Sequence, residues 1–269
     1  MLLVKQADVI WFALAQTIDF IVLGIVFYIC YKRKKGPKLG ISKSLCVSLW
    51  KRGRSFIIAS IMVVIYMQTD KIMLKGMISE NEVAYYTVAA SIISMWTFVL
   101  SSVISASMPM IIEHSKVGKK EFEDALTGLF SMVAYACIIV GLLFYVFAKP
   151  IILLLYDTAY IDAIPTVRVL AWGTMFSYWG VARNIWFVVE NKQSYAKWLS
   201  MIGAVANVVM NYVLIKMMGL IGAAIATVIT EIIVNFVAGL FFKEVRKPSI
   251  LMAKSLSPSS LKKIKLLFQ

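Results

Sequence analysis

The chain has 269 residues, of which 61% are hydrophobic and 16% charged, and its mean hydropathy is +0.82. Soluble domains hold roughly 45–50% apolar residues, so this composition excludes a water-soluble globular protein. The formal net charge is +14, but the lysines and arginines stand in short clusters between long apolar runs. That pattern excludes a nucleic-acid-binding face and is typical of the loops of a membrane protein.

Seven apolar stretches are long enough to cross a bilayer, since about 20 mostly apolar residues span roughly 30 Å of hydrocarbon. They are residues 7–31, 55–78, 83–111, 125–147, 166–189, 197–217 and 220–242. The first stretch carries Asp8 and Asp19 and lacks a basic start, so we interpret it as a membrane helix and not as a cleaved signal peptide. The sequence therefore predicts an all-α polytopic helix bundle of about seven transmembrane helices.

Basic residues orient these helices. Residues 32–35 (KRKK) end the first span and residues 51–54 (KRGR) open the second, so the loop between them is predicted to be cytoplasmic. The N-terminus is then outside and the C-terminus inside. We predict a membrane helix at 1–31, a basic cytoplasmic linker at 32–54, a six-helix lobe at 55–242 and a basic tail at 243–269, the tail being frayed and either solvated or lying on anionic headgroups.

One short apolar segment, residues 150–156, breaks the regular pattern. It is too short to cross the bilayer, and Asp157, Asp162 and Pro165 follow it. We expect an interfacial or re-entrant piece here.

Charged residues inside the spans are the most informative feature, because each costs a few kcal/mol in lipid and needs a partner or a function. Asp70 and Lys71 adjoin in the second span, which would be too short if it ended before them. The alternative is that Lys71 and Lys75 extend to the outer interface and Asp70 only pairs with one of them.

Other polar residues share helix faces. Glu231 precedes Asn235 by four residues in the last span, Asn207 and Asn211 share a face of the sixth, and Arg183 lies in the fifth. We predict that these side chains, with Asp70 and Lys71, line a polar substrate or ion pathway in which arginine attracts phosphate and the carboxylates hold a proton or a sodium ion. The alternatives are a static Arg183–Glu231 ion pair and, for the asparagines, helix-packing hydrogen bonds.

Several of these residues belong to segments that resemble a known family. Residues 66–74 (YMQTDKIML) and 82–89 (EVAYYTVA) resemble the start of the C-terminal lobe of Wzx-type oligosaccharide flippases, the polysaccharide biosynthesis branch of the multidrug/oligosaccharidyl-lipid/polysaccharide exporters. Further matches follow in the family's order at Leu155, Tyr156, Tyr160, Ala163, Pro165 and Leu170, at 190–192 (ENK), and at 219–227 (GLIGAAIAT).

The resemblance implies a fold of two six-helix lobes around a central cavity that opens alternately to each side. It implies a cargo of an oligosaccharide on undecaprenyl pyrophosphate, moved to the outer leaflet of the cell membrane and coupled to protons or sodium ions. Asp70, Lys71, Arg183 and Glu231 are the positions suited to such roles. Because only seven spans are found, the chain is expected to be a fragment or to pair with another chain, and to contain the last helix of the first lobe and the second lobe.

Two other functions compete with transport. A polytopic polymerase or ligase of polysaccharide assembly needs catalytic groups in an outer loop, where only Asp157 and Asp162 stand. A seven-helix receptor or retinal protein is suggested only by the number of helices and the outside N-terminus. The last span, 220–242, has no lysine for the Schiff base that a retinal protein needs. The three cysteines and one histidine show no ligand spacing, so we predict a transporter without enzymatic activity, metal or cofactor.

Overall fold

The computed structural model describes residues 9–34 and 42–267, with side chains at 17–34, 42–50 and 68–267. The described residues form helices joined by short turns, and no strand occurs among them. The helices are Val9–Arg33 (α1), Lys43–Met77 (α2), Glu80–Val117 (α3), Lys119–Leu155 (α4), Ile164–Val189 (α5), Ser194–Ile232 (α6), Ala238–Phe241 (α7) and Arg246–Ser255 (α8). The predicted all-α fold is confirmed.

Contacts along the chain define two compact units, one reaching to Ser60 and the other beginning at Ile61. The first unit contains α1, whose side chains from Ile18 onward are mostly exposed and apolar, and the start of α2. The second unit contains the rest of α2 and the helices α3 to α8. Residues 35–41 of the predicted linker lie outside the described residues, as do residues 1–8 of the predicted segment 1–31 and residues 268–269 of the tail. The linker is helical from Lys43 onward.

Three helical runs among the described residues are long and apolar enough to cross a membrane, namely Glu80–Val117, Lys119–Leu155 and Ser194–Phe241. The predicted number of seven is therefore not confirmed. The last run contains both the sixth and the seventh predicted spans, and the chain changes direction between them at Gly219, where φ is +61° and ψ is −135°. Glycine adopts this backbone conformation without the steric penalty of a Cβ.

The segment 150–156 is not the separate interfacial piece that we expected. Residues through Leu155 continue α4, and Pro150 lies inside the helix. Proline is tolerated in membrane helices because neighbouring groups satisfy the carbonyl that its missing N–H leaves free. With 37 residues at 1.5 Å per residue, α4 is about 55 Å long, more than the roughly 40–45 Å of a whole bilayer.

The second unit is packed inside and apolar outside. One buried cluster surrounds Phe130 and Trp179, and another surrounds Leu74 and Ile152. Large apolar side chains also point outward, with exposed fractions of 72% for Phe98, 63% for Val146 and 84% for Leu154. Such a surface suits contact with lipid, because apolar side chains that face lipid do not need to be buried within the protein.

The residues that follow α7 are folded, contrary to the expected frayed tail. Residues 243–267, which we call the C-terminal clasp, comprise short 3-10 segments at Lys243–Val245 and Pro258–Leu267 with α8 between them. Met252 is fully buried, and Leu267 joins the same apolar cluster. The clasp thus completes the core of the second unit.

Hydrogen bonds and ion pairs attach the clasp to α3 and α4. The Ser131 and Tyr135 hydroxyls each donate to a clasp carbonyl at 3.0 Å, and His114 Nε2 lies 3.0 Å from the Leu266 carbonyl oxygen. Two ion pairs of 2.7 Å add to these contacts, Lys247 with Glu123 and Lys263 with Asp124. Most of these acceptors are backbone atoms, which have no signature in the sequence.

A glycine in α4 makes this attachment possible. A Cβ at Gly128 would lie 2.5 Å from the carbonyl oxygen of Lys263 and 2.8 Å from its carbonyl carbon. We expect Gly128→Ala to lower the free energy of unfolding by about 1–3 kcal/mol and to speed protease cleavage within the clasp. The added methyl group would clash with backbone atoms, which cannot move away as a flexible side chain could. Gly76→Ala is the matched control, since its Cβ would meet nothing within 4 Å. Equal cleavage of the two variants would contradict the importance of this contact.

Candidate functional site

Asp70 lies at the centre of a buried polar cluster. Its side chain is 8% exposed and comes from α2. The Tyr86 and Thr227 hydroxyls donate to Oδ2 at 2.7 and 2.9 Å. The Asn207 and Asn211 amides donate to Oδ1 at 3.0 and 2.5 Å. Four neutral donors from α3 and α6 therefore surround one carboxylate.

No cation neutralises Asp70 within the part of the chain that the structure describes. Lys75, which sequence reasoning offered as a partner, pairs instead with Glu80 at 2.7 Å on the surface. Lys71 is half-buried and forms no ion pair with any described residue, so the structure does not bring it into the cluster. The alternative of an Asp70–lysine pair is wrong, and a buried carboxylate held only by neutral donors has room in its charge balance for a cation or a proton.

Two oxygen atoms beside Asp70 also lack partners. The side-chain oxygens of Asn207 and Asn211 are buried and accept no hydrogen bond from any described residue. Rotation of either side-chain amide by half a turn exchanges its nitrogen and oxygen, so that the oxygen then lies toward the carboxylate. Carboxylate and amide oxygens are ligands that hard cations prefer. By contrast, no group of three or more His, Cys, Asp or Glu side chains among the described residues is placed to hold a metal ion.

Arg183 forms a second buried polar centre. The residue is 5% exposed, and its guanidinium lies 5.0 Å above the Phe187 ring. Nη1 donates to the Val234 and Asn235 carbonyl oxygens at 3.1 and 3.3 Å, and Nη2 donates to the Asn235 side-chain oxygen at 3.3 Å. Nε has no partner among the described residues. This charge is thus held by neutral oxygens, none of which belongs to a carboxylate.

Glu231 does not form the direct ion pair with Arg183 that we considered from the sequence. Its Oε2 instead accepts a hydrogen bond of 2.5 Å from the Asn235 side-chain nitrogen. The oxygen of the same Asn235 amide accepts from Arg183. Asn235 therefore stands between the acid and the base and contacts both.

The two centres lie along one face of the helical run that follows Gly219. Thr227, Glu231 and Asn235 are spaced by four residues, so they project from the same side. Thr227 contacts Asp70, and Asn235 contacts Arg183. At 1.5 Å per residue, this polar line is about 12 Å long. Of the predicted site residues, only Lys71 belongs neither to this line nor to the clusters around Asp70 and Arg183.

Sequence reasoning missed two members of the Asp70 cluster. Tyr86 and Thr227 donate to the carboxylate, and their hydroxyl oxygens are 2.9 Å apart. Thr227 stands four residues before Glu231, a spacing that was available as a signal. Tyr86 is one of two adjacent tyrosines in α3, and the sequence does not distinguish which of them faces inward.

One of the two loop acids that an enzyme would need, Asp157, has a structural role. The Asp157 carboxylate accepts from the Thr158 backbone N–H at 2.5 Å and from its hydroxyl at 3.1 Å, which caps the 3-10 segment Thr158–Ala163. Asp157 and Asp162 are both exposed. Capping explains the first of them without any catalytic function.

Comparisons with known proteins agree with the membrane architecture. Residues 1–115 match the model of the family described as polysaccharide biosynthesis protein. The chain is 29% identical over 231 residues to an uncharacterized membrane protein of Methanocaldococcus jannaschii, a match that covers 80% of this chain and 45% of the relative. The chain therefore spans less than half the length of that relative. No solved structure matches the chain.

These matches coincide with the prediction made from the motifs around Asp70 and Tyr86, which lie within the matched residues 1–115. The chain is a helical membrane protein, and its first 115 residues are similar to the polysaccharide biosynthesis family.

Proposed function

We propose that the chain is a transporter that moves a lipid-linked oligosaccharide from the cytoplasmic to the outer leaflet without changing its covalent structure. The cargo would be a repeat unit on undecaprenyl pyrophosphate, used for surface polysaccharide. The observation that carries the proposal is the polar line from Asp70 to Arg183, both of which are buried, inside a unit with an apolar surface. Ionisable groups inside membrane proteins most often mark the path of a substrate or an ion.

Arg183 is suited to the pyrophosphate. A guanidinium binds phosphate oxygens through two parallel N–H donors, and it does so more strongly than it binds neutral oxygens. All acceptors of Arg183 in this state are carbonyl or amide oxygens, and Nε is unpaired. Exchange of these acceptors for phosphate oxygens would strengthen the hydrogen bonds and supply the missing negative charge.

Asp70 is suited to a coupling proton or sodium ion. Binding of either would neutralise the carboxylate and weaken its attraction for the four donors that come from α3 and α6. A ligand shifts a conformational equilibrium by as much as its affinities for the two states differ. Occupancy of Asp70 would thus bias the packing of α2 against α3 and α6, as alternating access requires.

The proposal is tested with the 269-residue chain reconstituted in vesicles that contain a polyprenyl-pyrophosphate disaccharide carrying a fluorophore. Dithionite added outside quenches only the outer-leaflet lipid. We expect the quenched fraction to rise from about half toward completion in vesicles with the protein, and to stay at about half in protein-free vesicles. A quenched fraction that is the same with and without the folded protein would refute transport by this chain.

A further inference from the structure

Asn235 uses both ends of its side-chain amide between two charged groups. Its nitrogen donates to Glu231 at 2.5 Å, and its oxygen accepts from Arg183 at 3.3 Å. These two contacts orient the amide, because a flip would place the nitrogen against the guanidinium and the oxygen against the carboxylate. The amide dipole is therefore aligned with the field between the acid and the base.

The backbone around Asn235 is also adapted to Arg183. Residues Ile233–Val237 form a π-helical turn, in which the Ala238 N–H donates to the Ile233 carbonyl. In an α-helix that N–H would serve the Val234 carbonyl, which here accepts from Arg183 instead. Such π turns within helices occur frequently at functional sites.

The neighbouring helix leaves space for this arrangement. A Cβ built at Gly180 of α5 would collide with the Asn235 side-chain oxygen and lie 2.5 Å from its Cγ. Asn235 is 8% exposed, so the amide is enclosed between α5 and its own helix. Enclosure strengthens the influence of one polar group on the next, because water does not screen them.

We propose that Asn235 is a positioning residue through which the charge of Glu231 sets the affinity of Arg183 for an anion. This inference rests on the anion-binding role given to Arg183 in the proposed function. An ionised Glu231 polarises the amide, and the amide oxygen then holds Arg183 more firmly in its set of neutral acceptors. Loss of the Glu231 charge loosens that hold, so that Arg183 is released to a phosphate.

Glu231 can lower the affinity for an anion at Arg183 by two routes, and these routes are separable. A through-space repulsion between Glu231 and an incoming anion does not need Asn235, whereas the route through the amide does. A double-mutant cycle measures the difference. Its readout is the affinity for inorganic pyrophosphate, measured by calorimetry on the purified 269-residue chain in detergent.

In the wild-type background we expect Glu231→Gln to tighten pyrophosphate binding by about fivefold or more, the lower end of typical coupling between sites. In the Asn235→Ala background the same change should alter affinity by less than about twofold. Asn184→Ala is the matched control, an exposed amide beside Arg183 in sequence, and it should retain the full effect of Glu231→Gln.

Each other outcome has a definite meaning. If Glu231→Gln acts equally with and without Asn235, the relay is refuted while the anion site stands. If it has no effect in the wild-type background, the relay is likewise refuted. If the wild-type chain does not bind pyrophosphate, both the proposed anion site and the relay are refuted.

Discussion

Replacement of Asp70 by asparagine is expected to reduce lipid transport by at least about tenfold, which corresponds to 1.4 kcal/mol. The substitution retains the size of the side chain but removes the charge that a coupling proton or sodium ion would neutralise. Replacement by alanine should have a second effect, because it leaves the Asn207 and Asn211 amides without the acceptor they now share. Each buried donor without a partner costs about 1–3 kcal/mol of stability.

The comparison of these two variants separates function from folding. Thermal unfolding in detergent should show Asp70→Ala well below the wild type and Asp70→Asn closer to it, while vesicle assays show both inactive. Asp162→Ala, which removes an exposed carboxylate from the 3-10 segment Thr158–Ala163, serves as the control and should behave as the wild type. Normal transport by Asp70→Asn would exclude its charge from the mechanism.

Loss of the Arg183 guanidinium is expected to have an effect of similar size on binding. Arg183→Met should weaken pyrophosphate binding by roughly 2 kcal/mol or more, about thirtyfold, because the charged, forked donor is lost. Arg183→Lys keeps the charge but cannot donate to three oxygens in the same plane. Its affinity should therefore lie between that of the wild type and that of Arg183→Met.

Calorimetry with pyrophosphate measures this series directly. Arg246→Met, which removes an exposed arginine from the start of α8, controls for the change in net charge. An affinity of Arg183→Met equal to that of the wild type would show that the anion binds elsewhere.

The helices and most members of the site were predictable from the sequence for a physical reason. Charged and amide side chains are costly in lipid, so their presence in apolar stretches indicated that Asp70, Asn207, Asn211, Arg183 and Asn235 turn inward, and all five are buried. Helical spacing alone grouped Asn207 with Asn211. The sequence did not predict the partner of each group, because spacing within one helix does not say which face of another helix lies opposite.

What the sequence did not predict depends on backbone atoms and on context. The π turn at Ile233–Val237 has no residue signature, and it is this turn that presents the Val234 carbonyl to Arg183. The clasp was missed because its segments are short and polar and because its contacts use carbonyls, such as that of Ser255 with Ser131. The helical continuation past Pro150 was not predicted because residues 150–156 are too short to cross the bilayer alone, whereas they extend a membrane helix that tolerates the proline.

We expect the polar line between Asp70 and Arg183 to face water from each side of the membrane in turn. This expectation is tested by labelling Thr227→Cys with a membrane-impermeant maleimide, in vesicles and in a background where Cys30, Cys46 and Cys137 are replaced by alanine. Val146→Cys on the exposed apolar surface and Asp162→Cys in the 3-10 segment Thr158–Ala163 are the controls. We predict labelling of position 227 from both sides, of 162 from one side and of 146 from neither. A folded protein whose position 227 is labelled from neither side would contradict the account.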